Sequence, residues 1–140
     1  MPYKRSSEHG GSGGGVFSDD LTETCRLARV IIRHGTYVDA ITPVWKMVDG
    51  KETPGLRHGG TGGSESSFTL EEGEFIKRVT GRSGWYIDQL TFYTSKGQQY
   101  GPYGGSGGGS FDIGGLNVGG FFGRSGIYLD AIGFFILTEC

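Results

Sequence analysis

The chain has 140 residues, enough for one domain with a single core and too few for two ordinary ones. Its formal net charge is −2, from 13 basic and 15 acidic residues, and no basic block stands out, so the electrostatic footprint of a nucleic-acid binder is missing. Apolar runs such as Ile132 to Leu137 are far short of a membrane span, which argues against membrane insertion.

Glycine is the outlier, at 29 residues, against a usual share of about 7%. Phe, Tyr, Ile, Val and Leu are also plentiful, so burial can offset chain entropy and disorder is not expected. Aromatic and β-branched residues punctuated by glycine read as all-β. The start of the chain, Met1-Pro2-Tyr3-Lys4-Arg5-Ser6-Ser7-Glu8, has no apolar h-region. The expectation is a protein that is cytoplasmic or released by a non-classical route. Cys25 and Cys140 are the two cysteines, and they read as free thiols rather than a disulfide framework.

In chain order, residues 1–8 form a short arm and residues 9–140 one domain of three repeats. The first repeat, about 9–57, opens on His9-Gly10-Gly11-Ser12-Gly13-Gly14. It passes an isolated Phe17 and an apolar segment from Leu27 to Ile32, then reaches Arg33-His34-Gly35-Thr36-Tyr37-Val38-Asp39. The second, about 58–102, runs from His58-Gly59-Gly60-Thr61-Gly62-Gly63 through Phe68 and Phe75 to Val79. It ends on Arg82-Ser83-Gly84-Trp85-Tyr86-Ile87-Asp88. The third, about 103–140, runs from Tyr103-Gly104-Gly105-Ser106-Gly107-Gly108 through Phe111 and Val118 to Phe122. It ends on Arg124-Ser125-Gly126-Ile127-Tyr128-Leu129-Asp130.

The shared pattern is a glycine cluster followed by Arg-x-Gly-x-Tyr-aliphatic-Asp. Gly10 and Gly35 lie 25 positions apart, Gly59 and Gly84 also 25, and Gly104 and Gly126 lie 22 apart. Aligned on the motifs, Leu27, Ile76 and Val118 coincide, as do Val30, Val79 and Phe121. After each motif the alternation has period two: Asp88, Leu90 and Phe92 share one face, as do Asp130, Ile132, Phe134 and Ile136. Ile41 fills the slot of Leu90 and Ile132. These columns are the expected core.

No segment carries sustained helical periodicity with caps. Each repeat gives about four short strands, twelve in all. Three four-stranded antiparallel sheets around one pseudo-threefold axis would bury all three apolar faces together. A three-bladed propeller would fall below the ~4–8 blades such folds use.

The run from Gly73-Glu74-Phe75-Ile76 through Gly81-Arg82-Ser83-Gly84-Trp85-Tyr86-Ile87-Asp88 to Tyr100-Gly101-Pro102-Tyr103-Gly104 resembles the centre of a jacalin-related lectin. The ending Gly123-Arg124-Ser125-Gly126-Ile127-Tyr128-Leu129-Asp130-Ala131-Ile132-Gly133 resembles that family's C-terminal signature. The resemblance covers nearly the whole chain from His9 onward. It implies the β-prism I fold and a mannose-type, non-enzymatic lectin. Most plant members keep one working Gly-x-Tyr-x-Asp motif; this chain has three, as griffithsin-like members do. Such members can pair as swapped dimers, so a homodimer is one expectation. The insertion Val44 to Arg57 and the longer N-terminal arm depart from that pattern.

The resemblance also implies that each motif faces the glycine loop of the next repeat. Site one would be Gly35, Thr36, Tyr37 and Asp39 facing Gly59 and Gly60. Site two would be Gly84, Trp85, Tyr86 and Asp88 facing Gly104 and Gly105. Site three would be Gly126, Ile127, Tyr128 and Asp130 facing Gly10 and Gly11, which closes the ring. The three aspartates would accept from a mannose's 4- and 6-hydroxyls, and Thr36, Trp85 or Ile127 would donate its N–H.

These residue types suit a sugar. An ionised Asp is an acceptor only, with two oxygens for two adjacent hydroxyls, and such charge-assisted bonds are the stronger kind. Glycine lets a facing loop approach closely, and a Tyr ring offers apolar area to a C–H face. The competing reading is a bare turn in which Asp holds its own backbone. Arg33, Arg82 and Arg124 read as structural, paired with carboxylates. His9 and His58 align with Tyr103, which argues against a shared metal or catalytic role; His34 aligns with two serines and reads as an exposed substitution.

No glycine cluster matches Gly-x-Gly-x-x-Gly or leads into Lys-Ser/Thr, so nucleotide binding is unsupported. No Cys/His set has metal spacing, and no cofactor is implied. Threefold-equivalent acids differ from the asymmetric carboxylate pair of a glycosidase. Two further readings stay open: a galactose-preferring lectin, and a protein-interaction module that keeps the repeat for folding alone. Galactose-specific relatives of such a family carry a free terminal Gly beside the site. Here the first loop has nine residues ahead of it, which favours mannose and mannose-containing glycans as partners.

Overall fold

The computed structural model describes residues 3–138; Cys140, read from sequence as a free thiol, lies outside them, and Cys25 is exposed. Fourteen strands and no helix are found among the described residues. Sheet one holds β4 (Thr24–His34), β5 (Val38–Met47), β6 (Glu52–Pro54), β7 (His58–Gly59) and β8 (Ser64–Thr69). Sheet two holds β9 (Ile76–Ser83), β10 (Ile87–Thr94), β11 (Gln99–Gly104) and β12 (Gly109–Ile113). Sheet three joins β1 (Tyr3–Arg5), β2 (His9–Gly10) and β3 (Gly15–Ser18) to β13 (Val118–Ser125) and β14 (Leu129–Leu137).

All pairings are antiparallel, as expected of strands linked by short turns. The strand count exceeds twelve for a local reason. In sheet two one continuous outer strand, β11, pairs with β10. In sheet three Ser6–Glu8 interrupt the corresponding strand, leaving β1 and β2 on β14. In sheet one Gly55, Leu56 and Arg57 separate β6 from β7 on β5. Residues 3–5, read from sequence as an arm ahead of the domain, are therefore an edge strand of it, with Tyr3 opposite Leu137 and Arg5 opposite Phe135. The Val44–Arg57 insertion extends β5 into a hairpin with β6, turning at Gly50 with φ +87.

Sheet boundaries are offset from the sequence repeats. The glycine cluster of each repeat ends in one sheet and its Tyr-Asp motif begins in the next. The motif of Asp39 thus shares sheet one with the cluster Gly59–Gly63, and the motif of Asp130 shares sheet three with the cluster at Gly10. The sequence-predicted columns point inward: Leu27, Ile76 and Val118 are buried, as are Val30, Val79 and Phe121, and Ile41, Leu90 and Ile132. Each such side chain removed from water contributes about 1.5–3 kcal/mol.

The joints between sheets are aromatic. Phe17 of sheet three stacks on His58 of sheet one at 3.9 Å between ring centroids. Phe68 of sheet one stacks on Tyr100 of sheet two at 4.4 Å, and Phe111 of sheet two on His9 of sheet three at 4.6 Å. This gives His9 and His58 a packing role. The joint of sheets three and one has additional polar ties. His58 Nε2 lies 2.6 Å from Asp19 Oδ1, both side chains buried. Asp19 Oδ2 accepts the Phe121 N–H at 2.8 Å, and the Trp45 indole donates to the Gly119 carbonyl at 2.8 Å.

Candidate functional site

At one end of the molecule the three motifs build the same cage three times. Each Gly-x-Tyr turn is closed by the glycine N–H on the tyrosine carbonyl: Gly35 to Tyr37 at 2.9 Å, Gly84 to Tyr86 at 3.0 Å, Gly126 to Tyr128 at 2.9 Å. The aspartate follows at the start of β5, β10 or β14, and its carbonyl accepts from the facing loop. Gly60 donates to Asp39 at 3.0 Å, Gly105 to Asp88 at 2.8 Å and Gly11 to Asp130 at 2.9 Å. The structure thus brings each aspartate to the glycine loop read for it from the sequence, whereas the carbonyls of Thr36, Trp85 and Ile127 lie against the loops over the neighbouring aspartates, at Gly105, Gly11 and Gly60.

Two features of the cage were missed in the sequence reading, although both lay within the repeated clusters. First, the later glycines of each loop cover the carboxylate. A Cβ at Gly62, Gly107 or Gly13 would sit 2.8 Å from the Asp39, Asp88 or Asp130 Oδ2. Gly63, Gly108 and Gly14 have φ of +72, +72 and +67, which side chains rarely adopt, and a Cβ there would meet both carboxylate and backbone. Second, the motif arginines hold the loops. Arg33 donates from Nε to the Gly62 carbonyl at 2.9 Å and from a terminal nitrogen to that of Gly63 at 2.9 Å. Arg82 does so to Gly107 and Gly108 at 3.0 and 2.6 Å, and Arg124 to Gly13 and Gly14 at 2.9 Å each. These forks replace the carboxylate pairing expected from sequence, although Arg33 also lies 3.6 Å from Glu65.

Asp39, Asp88 and Asp130 are buried. Among the described residues no hydrogen bond ends on their carboxylates, and the fully buried Asp130 Oδ1 has no partner at all. The bare-turn reading, with Asp tied to its own backbone, therefore fails. Burial pushes the Asp88 and Asp130 carboxyls above the ordinary aspartate value, and the nearby Arg82 and Arg124 pull them part of the way back.

The tyrosines differ from expectation. Their half-buried rings converge with centroids 4.8–5.1 Å apart, a three-ring cluster where the motifs meet. Two of them line a neighbouring site: Tyr86 borders a cavity of about 370 Å³ at Asp130, and Tyr37, with Tyr86, one of about 250 Å³ at Asp88. His34 is half-buried rather than a bare surface substitution, with Nε2 2.8 Å from Ser66 Oγ. No cluster of three or more metal-ligating side chains occurs among the described residues.

The family model of the jacalin-like lectin domain matches residues 6–135. The chain belongs to the jacalin-like lectin family. Solved structures of lectins superpose on this jacalin-like domain nearly end to end. Malaysian banana lectin is 30% identical, with 99% of this chain and 100% of that one covered and a TM-score of 0.86. The mannose-binding lectin from champedak is 26% identical over 98% of each chain, at a TM-score of 0.88. A mannose-specific jacalin-related lectin from Morus nigra, solved with mannose, is 30% identical over 97% of this chain and 95% of that one, at 0.85. Comparison with curated proteins returns no match. The family and these neighbours are lectins, and the three-sheet arrangement expected for the jacalin-like fold is the one observed.

Proposed function

We propose that this jacalin-like domain is a lectin without enzymatic activity that binds mannose, alone or at the ends of high-mannose glycans, at up to three equivalent sites. The observation that carries the reading is a buried carboxylate under a glycine loop, repeated at Asp39, Asp88 and Asp130, with Asp130 Oδ1 left without any partner. Each acceptor needs donors, and two adjacent hydroxyls of a hexose supply them. The N–H groups of Thr36, Trp85 and Ile127 sit in the turns beside the carboxylates, and the clamped loops supply further backbone. Preorganisation by the arginine forks lowers the ordering cost of binding.

The mannose preference is supported by neighbours described as mannose-binding or mannose-specific, from champedak and Morus nigra. Three sites at one end of the domain could engage a branched glycan together, with an avidity gain of ~10²–10⁴ where the geometry allows.

Calorimetric titration with a high-mannose glycan is the test. The wild-type chain is expected to bind and to release from immobilised mannose on adding free mannose. The combined Asp39→Ala, Asp88→Ala and Asp130→Ala variant is expected to lose binding altogether while keeping its β-sheet spectrum. Retained affinity in that variant would overturn the site assignment, and preferential elution by galactose would overturn the sugar preference.

A further inference from the structure

The three glycine loops end on the same fork but begin on different anchors. Each is held at its C-terminal end by a motif arginine, with bonds of 2.6–3.0 Å. The residue that leads into each loop is His9, His58 or Tyr103.

Among the described residues, His58 alone of the three is bonded to a buried side chain of another sheet. Its Nε2 lies 2.6 Å from Asp19 Oδ1, and the two side chains are 7% and 2% exposed. A carboxylate only accepts, so Nε2 carries the proton of this bond. Asp19 is itself fixed, because its Oδ2 accepts the Phe121 N–H at 2.8 Å. Phe17 stacks on the imidazole. His9 stacks too, on Phe111, but its Nε2 meets only the exposed Ser7 Oγ, two residues back on its own segment. The Tyr103 ring is tilted against His34 and Phe92.

Gly60 follows two positions after His58 and donates its N–H to the Asp39 carbonyl at 3.0 Å. Gly62 and Gly63 then cover the Asp39 carboxylate. Glycine loses more backbone freedom on ordering than any other residue, so holding a glycine loop at both ends removes a cost that binding would otherwise meet. The loop over Asp39 is held at both ends by polar side-chain bonds to other segments. The loops over Asp88 and Asp130 are held in that way only by their arginines.

Resting on the sugar-binding reading above, we propose that His58 is a positioning residue for the Asp39 cage. Through Asp19 it fixes the Gly59–Gly63 loop in the shape that receives a hexose. The Asp88 and Asp130 cages have no counterpart of this anchor among the described residues.

Three double variants each retain one aspartate: Asp39→Asn with Asp88→Asn, Asp39→Asn with Asp130→Asn, and Asp88→Asn with Asp130→Asn. Each is titrated with methyl α-mannoside, with and without His58→Phe, which keeps a ring against Phe17 and deletes the bond to Asp19. His58→Phe is expected to weaken the Asp39-only variant about tenfold and to leave the other two within about twofold. His58→Gln, whose amide nitrogen stands in for Nε2, is expected to bring the Asp39-only affinity back to within about threefold. A role in folding alone would lower the melting temperature in all three backgrounds and leave their affinities unchanged. Amide exchange in the unmutated chain is a second readout and depends on no variant folding. Gly60, Gly105 and Gly11 make matching bonds to the aspartate carbonyls, at 3.0, 2.8 and 2.9 Å, yet Gly60 is expected to exchange slowest. Three results would each overturn the proposal and leave the lectin reading intact: no effect of His58→Phe on Asp39-only binding, an equal loss in all three backgrounds, or a Gly60 amide that exchanges as fast as the other two. Failure of the Asp39-only variant alone to bind would do the same. If no variant bound methyl α-mannoside, the sugar-site reading would fall and the proposal with it.

Discussion

The cages and the joints between sheets follow opposite rules. The three cages repeat one geometry: the glycine-to-aspartate bonds are 2.9, 3.0 and 2.8 Å, and the arginine Nε bonds are 2.9, 3.0 and 2.9 Å. The three joints use three chemistries: a His–Phe stack with a buried carboxylate, a Phe–Tyr stack, and a His–Phe stack with a half-buried ring. Backbone packed on backbone leaves no room for substitution. Side-chain packing accepts any set of about the right volume. The repeat has therefore diverged at the joints and stayed fixed at the cages.

The largest expected effect breaks a joint. Asp19→Ala removes the acceptor of both His58 and the Phe121 N–H in a buried setting. It leaves two buried groups without their acceptor and is expected to lower unfolding free energy by about 2–6 kcal/mol, read by urea denaturation. Next comes a cage glycine. Gly14→Ala, Gly63→Ala and Gly108→Ala each place a Cβ at positive φ against backbone. Each should cost about 2–4 kcal/mol and remove one site. Near-equal losses would sharpen the comparison, and unequal ones would break it. Cutting an arginine fork is milder. Arg33→Met, Arg82→Met and Arg124→Met are each expected to cost about 1–2 kcal/mol, since the guanidinium is partly exposed, with a matching fall in sugar affinity by calorimetry.

The smallest effect is in pH. The ionised carboxylate is the acceptor, so acidification weakens binding as pH falls through the raised values of Asp88 and Asp130. The loss begins at higher pH than for an ordinary aspartate. Stability moves the other way: a raised folded value means that these two groups cost the fold stability as pH rises from the ordinary value through the raised one. Titrations at descending pH of variants that retain only Asp88 or only Asp130 should show affinity falling while that carboxyl's own contribution to the melting temperature rises slightly.

Much of this was legible in the sequence because it repeats. The buried columns at Leu27, Ile76 and Val118 follow from period and spacing, whereas the pairing of Asp39 with Gly59 or Asp88 with Gly104 was legible only through the family resemblance. The arginine forks were half legible: the repeat marked Arg33, Arg82 and Arg124 as structural, but nothing local says that a guanidinium seeks carbonyls rather than carboxylates. The Asp19–His58 pair was not legible. Its partners lie 39 residues apart in different sheets, and only the closing angle between sheets brings them together. The convergence of Tyr37, Tyr86 and Tyr128, and the lean of Trp85 towards Asp130, are likewise products of closure, which no single strand's periodicity encodes.

Sheet three is stitched from both ends of the chain, and this sets a timetable. Arg33 reaches its glycine partner across 29 residues and Arg82 across 25, whereas Arg124 spans 111. On a growing chain the first two cages have all their parts soon after each motif emerges. The third waits until the last strands are made, holding the N-terminal edge of the molecule unpaired until then. Loss of the segment through Gly14 would therefore strip the glycine loop from Asp130 and leave the cages at Asp39 and Asp88 with all their parts.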